Sequence, residues 1–227
     1  MRKIVIFLIG VTISFFIHAL DLSSLSKADA ISGMKDALMQ SSAAAVSKLG
    51  VENGFLGNDQ VRIPLPDVFN RIESALRMFG MQKQADDLIV AMNRAAERAV
   101  PEAKTLLINA VKNMSVQDAK GILTGGDIAA TEYFRKTTQE QLKQKFLPIV
   151  TKATANVGLA EKYNHVASRG VQLGLIDIKQ ARIEDYVTQK TLDGLFLVMA
   201  EQEKAIRNDP VGTATGMARK VFGLLGK

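Results

Sequence analysis

The side chains best placed for chemistry begin with Asn93 and Glu97, one helical turn apart in an alanine-rich stretch, with Arg94 and Arg98 flanking them on a neighbouring face. Four-residue spacing puts Asn93 and Glu97 on one helical stripe. On a helix bound for the core, such a pair either builds a buried network that sets the register of neighbouring helices or forms one wall of a ligand site. A second feature is Thr124-Gly125-Gly126-Asp127. Glycines ahead of a helix leave backbone amides free, and these can hold a phosphate or a carboxylate. The Asp127 carboxylate can itself cap that helix and repel a second anion, so a structural turn is the expected reading.

Most familiar catalytic chemistry is undersupplied. The chain has no cysteine and two histidines, of which only His165 lies beyond the N-terminal segment. Zinc sites built on His and Cys, cysteine nucleophiles and haem attachment motifs are therefore excluded or short of ligands. A serine triad would need His165 as its base, yet no G-x-S-x-G elbow, P-loop or dinucleotide fingerprint occurs. The adjacent acids Asp86-Asp87 and Glu184-Asp185 lack the alternating oxygen ligands of a calcium loop and read as solvated helix starts. No metal and no cofactor is expected. The methionines at 34, 39, 81, 92, 114, 199 and 217 either line an adaptable apolar pocket or fill gaps in a core.

The elements that must position these groups read as helices. Ile31, Met34, Leu38, Ala45 and Leu49 recur at steps of three and four and stop at Gly50. Val51 to Pro66 reads as an ordered loop, with Val61 and Ile63 alternating around Arg62 in one very short extended segment at 61–63. Asp67 can cap a helix carrying Phe69, Ile72, Leu76 and Phe79, closed by Gly80; a second helix begins near Gln82. Pro101 either kinks that helix or sits in the first turn of the next. Ser115 and Asp118 form a capping box, and a long pattern from Ile128 meets Pro148, which is expected to kink or restart it. Further helices follow around Tyr163 and from Tyr186 to Ile206, before Asp209-Pro210. With no sustained alternation, the predicted fold is all-α: a multi-helix bundle with short helices and at most that one extended segment.

Across 227 residues, 47% hydrophobic and 23% charged composition suits a folded chain. Arg2 and Lys3 precede an apolar run of about 14 residues, Ile4 to Ile17, which is short for a bilayer span and ends at Ala19. Residues 1–19 thus read as a signal peptide cleaved after Ala19, the alternative being an uncleaved N-terminal anchor, and 20–227 as one helical domain, with its core at about 29–208 and a short terminal helix near 213–225. That places the protein in the periplasm, and the lack of cysteine rules out a lipoprotein anchor. No later segment has the length and freedom from charge of a membrane span. The formal charge of +6 is not gathered into basic runs and tryptophan is absent, so nucleic acid is not an expected partner. The terminal helix sets Met217, Val221, Leu224 and Leu225 against Arg219, Lys220 and Lys227; it either packs on the bundle or touches an anionic membrane surface.

Several segments in order resemble the periplasmic family known as domain of unknown function 4197. They are Val61 to Pro66, Ala91 to Glu97, Met114 to Arg135, Lys162-Tyr163-Asn164 and Tyr186 to Phe196. The resemblance spans nearly the whole mature chain and implies an exported bacterial domain with no assigned reaction. Its segments contain further polar residues, Asp118, Thr131, Tyr133, Lys190 and Asp193, that could join the network of Asn93, Arg94 and Glu97. Three functions remain open. The first is a non-catalytic module that binds an envelope protein, with homo-oligomers allowed; the second carries a lipid or other apolar small molecule between helices. The third is a hydrolase-type enzyme using carboxylate, tyrosine and arginine groups around Glu97, Asp127 and Tyr133, which requires those groups to converge in an open cleft.

Overall fold

The computed structural model describes residues 27–67, 80, 82–172 and 182–209. The helices expected at 67–79 and 213–225, and the signal peptide, lie outside these residues apart from Asp67. The described helices are α1 (Lys27–Leu49), α2 (Gln82–Ala99), α3 (Ala103–Lys112), α4 (Val116–Thr124), α5 (Ala129–Thr154), α6 (Gly158–Gln172) and α7 (Ile183–Asn208). A single turn of 3-10 helix, Val100–Glu102, joins α2 to α3. The fold is all-α, with no strand among the described residues.

The most extensive packing is between α5 and α7, each 26 residues long. Helix α7 is apolar around most of its circumference: Ile183, Val187, Leu192, Leu195, Phe196, Val198 and Met199 are all buried. A helix of that kind belongs at the centre. Helix α5 buries Phe134, Thr138, Leu142, Phe146 and Val150 at steps of four, a single stripe facing the core. Helix α2 packs on α5, and α1 on α7 and α3. The buried apolar side chains, including Met34, Met92, Met114 and Met199, form one connected cluster.

Pro101 sits at the start of the 3-10 turn, where its missing amide costs nothing. Pro148 does not interrupt its helix, which continues through it to Thr154. Proline removes the partner of the carbonyl four residues back. Here Gln144 and Pro148 are both exposed, on the solvent side of the helix. The Ser115–Asp118 capping box is formed in both directions.

Segment 50–66 is a run of turns followed by extended chain, lying against α2 and α7. Phe55, Val61, Ile63 and Leu65 are buried. The extended piece around Ile63 pairs with no other strand; its partner is a side chain.

Candidate functional site

That side chain is Asn93. Its Oδ1 accepts from the Ile63 amide at 2.8 Å, and its Nδ2 donates to the Ile63 carbonyl at 2.9 Å and to the Ile89 carbonyl at 2.8 Å. Buried backbone groups must find partners, and one carboxamide supplies both for Ile63, as the edge of a strand would. One turn on, Glu97 Oε1 accepts from the amides of Phe55 and Leu56, each at 3.1 Å. Arg94 donates to Glu97 Oε2 at 2.6 Å, to Glu52 at 3.2 Å and to Asn53 at 3.0 Å. Ala95, Ala96 and Ala99 of α2 have no exposed surface. Tyr186 fastens the far end by donating to the Pro64 carbonyl at 3.1 Å. Asn93, Arg94 and Glu97 therefore work together as a clamp on residues 50–66. An open groove of about 400 Å³ runs beside it, lined by Gly50, Val51, Glu52, Arg94, Glu97, Arg98 and Pro101.

The turn at Thr124 to Asp127 is built differently from its expected form. The residue preceding α5 is Ile128, with no side-chain cap, and Asp127 is exposed. The free amides at the start of α5 are taken instead by Glu203, from α7: Oε1 accepts from Ala130 at 2.9 Å, and Oε2 from the Thr131 amide at 2.9 Å and the Thr131 hydroxyl at 2.8 Å. A carboxylate suits the positive end of a helix. Arg207 neutralises it, donating to Glu203 Oε1 through Nη2 at 2.8 Å and Nε at 3.1 Å, and also donates to the Ile122 carbonyl at 3.0 Å. This N-terminus already holds its anion. Gly125 is needed for close packing, because a Cβ there would stand 2.6 Å from the Ala129 Cβ and 2.7 Å from the Gly121 carbonyl oxygen. Gly126 has open space around it.

Asp118 and Tyr133 come together elsewhere, in an open groove of about 510 Å³ between α3 and α5 with α4 at one end. Tyr133, Thr137 and Gln141 recur every four residues along the α5 wall, with Lys136 beside them; Leu106, Asn109, Ala110 and Asn113 form the α3 wall. Tyr133 donates to the Ala110 carbonyl at 3.0 Å, and its ring meets Phe134 edge-on. Burial, with the Asp118 charge second, pushes the Tyr133 phenol up. Asp118 Oδ2 accepts from the Ser115 hydroxyl at 2.6 Å and the Ser115 amide at 3.1 Å, and these bonds hold its carboxyl below the usual range.

Lys190 and Asp193 lie on α7, away from that groove's lining. The Lys190 ammonium stands 5.7 Å from the Tyr186 ring centre. Asp193 pairs with Arg135 at 3.6 Å and accepts from Gln189 at 3.0 Å, while the Arg135 guanidinium lies over the Phe196 ring. The candidate residues thus occupy four places: the clamp, the α5 turn with Thr131, the α3–α5 groove and the α7 surface. Glu97, Asp127 and Tyr133 do not share a cleft.

Two arrangements escaped sequence reasoning. Glu203 with Arg207 has the spacing of an ordinary solvated pair. Glu184, expected to be solvated, is buried: Asn164 donates to both its oxygens at 3.2 Å, and Arg182 donates to it at 3.3 Å. Asn164 Oδ1 accepts from the Ile183 amide at 2.8 Å, so α6 caps α7. No local signal marks either carboxylate, because their partners lie on other elements. His165 is exposed on α6. Among the described residues no group of three His, Cys, Asp or Glu side chains could hold a metal, and no helix is long and apolar enough to cross a membrane.

Fold and site together define an all-α protein whose buried carboxylates are engaged in capping and clamping, with polar grooves open at its surface. The chain belongs to the family described as Protein of unknown function (DUF4197), whose model matches residues 24–223. No curated protein and no solved structure matches it.

Proposed function

We propose that the protein is a non-catalytic binding module of the periplasm, released there as a single domain after cleavage following Ala19, and that its binding face is the groove between α3 and α5. The observation that carries this reading is the contrast between the groove and the other candidate positions. Asn93, Glu97 and Thr131 are buried and hydrogen-bonded to the protein's own backbone or side chains. The side chains of Asn109, Asn113, Lys136 and Gln141 line one open groove and make no hydrogen bond or ion pair among the described residues. Polar groups left without internal partners in a concave surface are available to a ligand. The amide, ammonium and carboxylate lining favours a polar partner, such as an envelope protein, over an apolar small molecule.

Native mass spectrometry of protein taken directly from the periplasm tests this. The expected spectrum carries a mass increment over a chain starting at Leu20, and the increment disappears in the Asn113→Ala/Lys136→Ala variant. A bare chain, or an increment that the double variant retains, overturns the groove as the binding face.

A further inference from the structure

We infer that the α3–α5 groove takes an extended peptide segment of a partner protein and reads its backbone through Asn109 and Asn113. This rests on the groove being the binding face. The molecule contains its own precedent: Asn93, on a helix, accepts from the amide and donates to the carbonyl of the same extended residue, Ile63. A helix-borne carboxamide thereby does the work of a strand edge.

Asn109, in the last turn of α3, and Asn113, its C-cap, stand four residues apart; both side chains are exposed and without a partner among the described residues, while the Asn113 amide closes the helix on the Asn109 carbonyl at 2.9 Å. Four residues of helix rise about 6 Å. An extended chain turns an amide and carbonyl toward the same side every second residue, about 6.6 Å. The two spacings agree closely enough for both carboxamides to engage one peptide edge. Main-chain pairing of this kind supplies affinity in strand-addition recognition, and pockets for alternate side chains supply selectivity. Ala110 and Leu106 add apolar surface to the lining of the same groove. Gln141, on the opposite wall, is likewise unpartnered and exposed.

The same lining argues against an oligosaccharide. Sugar recognition favours an aromatic face open to the ligand, as stacking on an apolar ring surface buries area without cost to the ring. The ring of Tyr133 is half-buried, edge-on to Phe134, with its hydroxyl committed to the Ala110 carbonyl.

The test starts from a random heptapeptide library displayed on phage, selected against the chain purified from the periplasm, with the peptides recovered then measured by calorimetry. The Asn109→Ala/Asn113→Ala variant should weaken binding about tenfold or more, since each lost backbone pair is worth a sizeable part of a tenfold change. Its melting temperature should be unchanged, both residues being exposed. N-methylation of the peptide at alternate residues should weaken binding similarly, and methylation of the intervening residues should not. Selection yielding no peptide, equal affinity for the variant, or indifference to N-methylation overturns the inference. An oligosaccharide that shifts the amide signals of Asn109, Asn113 and Gln141 when no peptide does so overturns the peptide assignment alone and leaves the groove as the binding face.

Discussion

Glu203 holds Thr131 twice, through its backbone amide at 2.9 Å and its hydroxyl at 2.8 Å, across 72 residues of chain. With Arg207 reaching the Ile122 carbonyl, this ties the end of α7 to the end of α4 and the start of α5. Replacing Glu203 by alanine strands two helix amides and removes the carboxylate that Arg207 pairs with at 2.8 Å. Removing one member of a buried pair costs about 3–5 kcal/mol. Urea unfolding of Glu203→Ala should show a loss in that range, with Glu203→Gln losing less because its one carbonyl oxygen still accepts from one of the two amides. A loss below about 1 kcal/mol for the alanine variant would contradict this role.

The Asn93 clamp makes a local prediction. Asn93→Ala leaves the buried amide and carbonyl of Ile63 unsatisfied, at about 1–3 kcal/mol for each group. Hydrogen exchange at the Ile63 amide should accelerate more than exchange within α5. Asn93→Asp keeps an acceptor for that amide but loses both donations, so its exchange should be intermediate. Uniform acceleration throughout the chain would argue against a clamp specific to segment 50–66.

Close packing singles out two glycines. A Cβ on Gly194 would lie 2.8 Å from Phe55 Cε1 and 3.3 Å from the Val61 Cβ. Overpacking of this kind costs about 1–3 kcal/mol, so Gly194→Ala should lower the melting temperature and loosen segment 50–66. Gly125→Ala should also destabilise, whereas Gly126→Ala, with open space around the site, should be nearly neutral. If Gly126→Ala proves the more damaging of the pair, the turn has a different basis from the one described.

The tyrosines predict an alkaline transition. Burial, with the Asp67 charge second, pushes Tyr163 and Tyr186 up to about 12, and Tyr133 is raised as well. These are the chain's three tyrosines. A phenol that ionises at 10.0 when unfolded but near 12 when folded contributes stability that is complete below pH 10 and lost as the pH rises toward 12. Ultraviolet titration should show Tyr163 and Tyr186 ionising well above pH 10, with their ionisation accompanying unfolding. Tyr163 or Tyr186 titrating near 10 in the folded protein would contradict the burial.

Asp118 predicts the opposite sign at the acid end. Its folded carboxyl titrates below the unfolded value of 3.8, so the capping box stabilises fully above that value and weakens as the pH falls through the lower, folded one. Ser115→Ala, which removes the hydroxyl bond, should move the Asp118 carbon resonance to a higher titration midpoint. An unchanged midpoint would assign the depression to another cause.

The features legible from sequence are those whose cause is local. Helical periodicity reports which face must leave water, so the course of α5 through Phe134, Leu142 and Phe146 could be read directly. The Ser115–Asp118 box joins residues three apart, and the breaks at Gly50 and Pro101 follow from backbone chemistry alone. The absence of cysteine, with His165 the one histidine beyond the N-terminal segment, excluded whole classes of site before any coordinate was known. Tertiary structure decided the partners of the buried carboxylates. Glu97 could have faced a ligand, and it faces the Phe55 and Leu56 amides; nothing in the sequence marks Glu203, and it caps α5 in place of the neighbouring Asp127. A buried carboxylate must find donors, but the chain order does not say which element will bring them. Asp118 and Tyr133 likewise share a groove only because α4 lies across the ends of α3 and α5, a placement set by packing over the whole core.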